Sequence, residues 1–408
     1  MDRKIELLAP AGDMEKLKTA IYFGADAVYF AGKNYGLRAF VSNFDTDGIK
    51  KAAEFVHAHG KKCYITLNIY ARDNDFDGLP EYLKVLEEAK VDGVLISDLG
   101  MLSFVREHAP KLSLHISTQA NTTNKYAVQA YKALGAERVV LARELSLDEI
   151  KKIREFDKKI ELEVFVHGAM CISYSGRCLL SNYITGRDSN HGECAQACRW
   201  HYNIVEDSRP DEKFNLLEDE RGAYILNSKD MCLIEHIDKV IEAGVDSLKI
   251  EGRMKSPYYV ATVVNAYRRA IDLYNECEKT GKKFAVPSEL KSELLKASHR
   301  KYTTGFMIND GEIKQNLDTA IQTQESKFLA IVTNGGKGEI VVEQRNKFAV
   351  GDKLEILSPS QAFNKTITIK EIINSKNQSI NEAKLVQEKV KITYSEDIVL
   401  SAGDILRA

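Results

Sequence analysis

Four of the chain's seven cysteines, Cys171, Cys178, Cys194 and Cys198, fall within 28 residues. Clustered thiolates are soft ligands, suited to iron–sulfur clusters, zinc or copper(I). Their spacings are six, fifteen and three intervening residues. Structural zinc knuckles prefer roughly two to four residues between cysteines, which Cys194–Cys198 satisfies and Cys171–Cys178 exceeds. Spacing alone leaves three readings open: an iron–sulfur cluster, a zinc site, or thiols that pack or change redox state without metal. His167, His191 and His201 are spare ligands or hydrogen-bonding residues. Cys232 is a candidate fifth ligand, set against the plain reading of a small buried residue, and Cys63 and Cys277 read as packing.

The elements that must position these thiols recur along the first 280 or so residues. A short phrase closes a helix and a β-branched run follows: "GADAV" at Gly24, "KVDGV" at Lys90, "GAERV" at Gly135, "GVDSL" at Gly244. The runs predict strands at Ile5–Ala9, Ala27–Ala31, Cys63–Asn68, Gly93–Ser97, Ser113–Ser117, Arg138–Ala142, Ile160–Val166 and Ser247–Glu251. Helices are predicted from Asp13 to Phe23 and from Asp45 or Thr46 to His59. Others span about 80–90, 99–108, 124–134, 146–156, 231–243 and 257–277, with a capping box at Ser146-Leu147-Asp148-Glu149. Alternation alone also fits an open doubly wound sheet. Eight strands, each with a helix, predict a TIM-like (β/α)8 barrel over residues 1–285. One connection breaks the rhythm, with about 65 residues between strand seven and the helix expected at Met231. It holds all four crowded cysteines, so a cysteine-rich insertion at 168–230 is placed on the βα face, where barrels keep their active sites.

After a mixed connecting segment at 286–328, with Lys291, Lys296, His299, Arg300 and Lys301, strand-like runs take over. "LAIVTN", "GEIVVEQ", "DKLEILS", "TITIKEI", "KVKITY" and "DIVLSA" predict a small antiparallel β-barrel at 329–408. The chain has 408 residues, 44% hydrophobic and 28% charged, with a net charge of −2. These are ordinary values for a globular protein with a sizeable core. No stretch approaches the ~20 apolar residues of a membrane helix. The start lacks the apolar run of a secretory signal, so a cytoplasmic protein without a disulfide framework is expected.

Glu163 to Ser181, "EVFVHGAMCISYSGRCLLS", resembles the signature of the collagenase-like peptidase family, peptidase family U-32. The resemblance covers almost the whole chain, through "ELLAPAGDMEKLKTAIYFGADAVYF", "STQANTTN", "GRCLLSNYITGRDSNHGECAQACRW" and "SLKIEGRMKSPYYVATVVNAYRRAID". The later phrases are most similar to its tRNA hydroxylation branch. That likeness implies a 4Fe–4S cluster on Cys171, Cys178, Cys194 and Cys198, and 5-hydroxyuridine formation at the wobble position, with prephenate as co-substrate. The tRNA anticodon loop is then the macromolecular partner, and action as a homo- or hetero-oligomer stays open.

Candidate catalytic residues stand at the C-terminal strand ends. Asn68, Asp98, Gln119 and Asn121 follow strands three to five; Arg143 and Glu144 follow strand six; His167 follows strand seven; Lys249, Glu251 and Arg253 end strand eight. Arg143 and Arg253 could clamp a small dicarboxylic acid such as prephenate, or form a rim network with Glu144 and Glu251. Gly12 and Gly252 read as tight turns after strands. Arg177, Arg187, Arg199, Trp200 and His201 could hold an RNA backbone and stack an unpaired base, or support the cysteines. The C-terminal barrel and the basic 291–301 stretch are expected to grip tRNA. Two rival functions remain, a U-32 peptidase and a zinc-stabilised RNA-binding factor. The first lacks a G-x-S-x-G or H-E-x-x-H pattern.

Overall fold

The computed structural model describes residues 4–33, 35, 43–171, 173–191, 193–200, 229–308 and 322–408, and the backbone of four short strands between 204 and 223. His201 and the His191 side chain lie outside the described residues. The barrel strands are β1 (Glu6–Pro10), β2 (Ala27–Phe30), β3 (Lys62–Leu67), β4 (Gly93–Ile96), β5 (Ser113–Ile116), β6 (Arg138–Val140) and β7 (Glu161–Ala169). They are followed by β8 (Asp230–Cys232) and β9 (Ser247–Ile250). Strands β1 to β7 pair in order and in parallel, and β9 pairs in parallel with both β1 and β7. That double pairing closes an eight-stranded barrel. The strands are mostly buried and largely apolar, as a parallel sheet covered by helices requires.

Strand β8 corrects the expected helix start at Met231. It pairs antiparallel with the upper end of β7, Asp230 opposite Ala169 and Cys232 opposite His167. Helix α8 begins only at Ile237 and runs to Glu242. Met231, Leu233, Ile234 and Ile237 are all buried, so the apolar spacing that suggests a helix is met by a strand and a short turn instead. Strand β7 outlasts its expected end at Val166 because β8 gives its protruding edge a partner.

The surrounding helices start at side-chain caps. Asp13, Asp45, Asp98, Asn124 and Ser256 each accept a hydrogen bond from the backbone three residues on. Helix α6 (Leu147–Phe156) carries the expected capping box, Ser146 with the Glu149 N–H and Glu149 with the Ser146 N–H. Ser146→Ala should cost about 1 kcal/mol in urea denaturation; an unchanged midpoint would remove the cap's contribution. Among the described residues no helix is long and apolar enough to cross a membrane.

Residues 328–407 form an eight-stranded antiparallel sheet around its own apolar core. Its chain-terminal strand, Ile405–Arg407, lies inside the sheet between Phe328–Asn334 and Lys353–Leu357. The run "DIVLSA" contributes only Val399–Leu400, paired with Gly336–Lys337 in a separate ladder. This region docks on helices α9 (Pro257–Thr280) and α10 (Ser288–Leu295). Tyr258 stacks on Phe328 at 5.5 Å, and Arg407 grips Glu293.

Candidate functional site: a thiol-roofed cavity at the barrel mouth

A cavity of about 230 Å³ opens at the C-terminal end of the strands. Its walls are strand ends: Thr66 on β3 and Asn68 just after it, Ser117 and Gln119 after β5, Arg143 after β6, and Phe165 on β7. Lys249, Glu251 and Arg253 line it from β9. The cysteine-rich insertion folds back over this mouth, and Cys171, Cys178, Cys194 and Cys198 all line the cavity.

The fold-back has named causes. Arg143 donates to Ala169 O and to Ser175 Oγ, both at 2.8 Å, pinning the start of the insertion to strand six. Asn121 Nδ2 donates to Ser175 O at 3.0 Å, and Arg72 pairs with Asp188 at 3.2 Å. Gly176, at φ +73°, packs so closely that a Cβ there would lie 2.1 Å from Gln119 Oε1. On the opposite wall a Cβ on Gly12 would lie 2.3 Å from Arg253 O, so only glycine admits the β9 turn. Arg253 itself is buried and donates to Thr66 Oγ1 at 3.0 Å.

The four thiols form one electrostatic group. Burial raises the Cys198 pKa; Cys171, Cys194 and Cys178 add to that, and Arg199 opposes it. A single tetrahedral zinc with Zn–S near 2.3 Å brings its sulfurs to about 3.8 Å of one another. Among the described residues the one group of three ligand atoms within 4.8 Å is His57, Cys63 and Asp92, so no three of the four sulfurs approach so closely. A polynuclear cluster spaces its thiolates more widely, because several metal ions lie between them. Four thiolates in one cavity wall are a soft donor set of the kind an iron–sulfur cluster uses. Backbone support is present too, with Gln196 N–H donating to Cys194 Sγ at 3.4 Å.

Other candidates fall elsewhere. His167 does not line the cavity. It is buried among Tyr259, Tyr267 and Tyr302, with ring centroids 5.3–6.0 Å away. Burial, with Lys255 and His299 nearby, pulls its pKa down to about 3. Strand alternation would send His167 to the same face as Glu163 and Phe165, but the register with β9 slips between Lys249 and Ile250. That irregularity turns the ring outward, toward α9. Glu144 is half-buried outside the cavity; burial raises its carboxyl pKa and Arg143 opposes that. Cys232 is also outside, 4.0 Å from the Tyr267 hydroxyl, and burial lifts its thiol to about 11.

Much of the basic 291–301 stretch is paired with carboxylates. Lys291 pairs with Glu235, Lys296 with Glu355 and Glu293, and Arg300 with Asp230, while His299 is buried. Lys291 and Lys301 remain exposed. Exposed aromatic surface lies on the insertion, in Tyr174, Tyr183 and Trp200. Arg177 stacks on Tyr70 at 5.4 Å. Tyr174 and Tyr183 escape sequence reasoning because only the folded loop shows that they face solvent.

A closed (β/α)8 barrel with a cavity roofed by four cysteines and floored by basic side chains defines the class. The chain belongs to peptidase family U32: the model of that family matches residues 12–317, and the model of its C-terminal domain matches 324–407. Tyrosine- and arginine-bearing insertion and sheet region both lie within these matches. Among curated relatives, "tRNA hydroxylation protein P1" of Bacillus subtilis is 41% identical over 97% of this chain and 93% of its own. "tRNA hydroxylation protein P" of Escherichia coli is 35% identical over 99% and 97%. "Collagenase" of Porphyromonas gingivalis is 31% identical over 87% of each.

Proposed function

We propose that this protein hydroxylates tRNA, converting the wobble uridine to 5-hydroxyuridine. The observation that carries the reading is the convergence of four cysteines and four buried or half-buried basic side chains on one barrel-mouth cavity. Near full-length relatives named for tRNA hydroxylation support it. Cys171, Cys178, Cys194 and Cys198 would hold a 4Fe–4S cluster, which when bound supplies one-electron transfer. Arg143 and Arg253 would pair with the carboxylates of a small dicarboxylic acid such as prephenate. The insertion roofs the cavity and limits access of water. Tyr183, Trp200 and Arg177, exposed beside the mouth, offer stacking faces and positive charge to an anticodon loop, whose bases are already single-stranded.

The peptidase reading finds less support in the geometry. A hydrolase needs a nucleophile with an oriented base. Ser175 Oγ accepts from Arg143, Ser181 Oγ from Ala195 N–H, and Ser189 donates to Cys178 O. No histidine lines the cavity among the described residues.

Nucleoside mass spectrometry of tRNA from a strain lacking this protein and its paralogues tests the proposal. Loss of 5-hydroxyuridine derivatives, restored by the wild-type chain, is the expected result. Unchanged tRNA would overturn it.

A further inference from the structure

Lys249 is almost fully buried, and its ammonium stands at the cavity floor against the rings of Tyr29 at 4.5 Å and Phe165 at 5.4 Å. It makes one hydrogen bond, to Glu163 Oε1 at 2.7 Å. An ammonium has three N–H donors, so two are left between aromatic faces and the cavity. Glu163 is also shared: its other oxygen accepts from Arg138 at 3.0 Å. Arg138 in turn grips Glu6 at 2.5 Å and Glu161 at 2.6 Å. Glu6, shared with Arg138, adds a weaker negative influence on Lys249 from the same side. His115, packed on Tyr64, is kept neutral by burial and by Arg138 and Lys249. In front, the cavity wall adds Arg143, Arg199 and Arg253 against the single carboxylate of Glu251.

A buried ammonium that lines a cavity and spends one of its three donors on Glu163 has two left to offer a ligand there. We propose that Lys249 is the deep anion anchor of this cavity, binding one carboxylate or equivalent oxyanion of a small acid, with Glu163 and Arg138 as positioning residues that hold its ammonium at the floor. Only the naming of prephenate as that acid rests on the proposed function. Burial lowers the Lys249 pKa and Glu163 opposes this, so an arriving anion would restore the ammonium's balance. The anchor also explains a charged layer inside a barrel whose core is otherwise apolar.

The test is isothermal titration of the full chain with prephenate, malonate and inorganic phosphate. The comparison is a Lys249→Met/Glu163→Gln double variant, which removes both charges and leaves no uncompensated buried carboxylate at that position. At least one anion should bind wild type and bind the double variant about tenfold or more weakly. No binding of any of the three to wild type, or equal binding to the double variant, would overturn the anchor. Glu163→Gln alone tests positioning through the pH profile. With its raising influence gone, the Lys249 ammonium loses its proton at lower pH, so affinity should fall as pH rises while wild type stays flat over the same range. Matching profiles would remove Glu163's role, and this arm decides the matter if the double variant fails to fold. Lys249-dependent binding with unchanged tRNA in the deletion strain would sink the hydroxylation reading and leave the anchor standing. The opposite pair of results would sink the anchor alone. Preference for phosphate or malonate over prephenate would identify which anion the floor serves.

Discussion

Cys178→Ala should yield a folded chain that holds no iron and restores no tRNA modification. The four cysteines are carried by loops, three of them half-buried and Cys194 exposed, so none is a main packing element of the barrel. Losing one sulfur costs the apo fold little, and its melting temperature should stay near that of the wild-type apo protein. The cluster proposal makes the metal consequence much larger, because three remaining thiolates at these positions leave one iron without a protein ligand. Iron and acid-labile sulfide, measured on anaerobically purified protein, should fall to background. In cells, 5-hydroxyuridine should be lost as fully as in the deletion strain. Cys277→Ala is the control, since that thiol lies away from the cavity near the end of α9 and should leave metal content unchanged. Normal modification by Cys178→Ala would remove the cluster from the reaction. One zinc per chain without sulfide in the wild type would favour the RNA-binding factor instead.

The difference between the barrel and its site shows what kind of information each needs. The eight barrel strands are legible as mostly apolar runs, four of them announced by a helix-closing phrase, as in Gly24–Val28 and Gly244–Leu248. Both signals are local. The convergence of the thiols is legible only as far as their shared loop. Its fold-back depends on Arg143, Asn121 and Arg72, which lie 116 residues or fewer from their partners yet carry no pattern linking them. His167, read as standing after strand seven, lies inside a strand that runs on to Ala169, where the register with β9 slips. Period-two alternation is reliable until one residue of register slips, and then every later side chain changes face. Basic residues at 291–301 read as surface because lone charges usually are, whereas Glu235, Glu355 and Asp230 reach them from distant segments. Lys249 is legible as a strand-end residue but its pairing is not, its partner Glu163 being 86 residues away.

The same blindness to paired burial conceals the strand that anchors the C-terminal sheet, and it sets the largest expected stability effect. Arg407, fully buried, donates to both oxygens of the equally buried Glu293 at 2.5 and 2.7 Å. It also donates to Glu355 Oε1 and to Asn364 Oδ1, each at 2.8 Å. Burial alone would raise the Glu355 carboxyl pKa, but Lys296 and Arg407 outweigh it and hold the pKa below its ordinary value. A depressed carboxyl contributes stability above its unfolded pKa of about 4.3 and loses it as pH falls through the lower folded value. This part of the interface should therefore persist at neutral pH and weaken only in acid. Arg407→Met leaves Glu293 ionised and buried with Lys296 alone beside it, at 3.4 Å. Removing one partner of such a pair costs about 3–5 kcal/mol. Urea denaturation followed by circular dichroism should show that loss, with the sheet region unfolding first. Glu293→Gln combined with Arg407→Met should recover much of it, because the buried charge is gone along with its partner. A loss below about 1 kcal/mol in the single variant would mean that water reaches Glu293. Apolar packing such as Tyr258 on Phe328 would then be what joins the two regions.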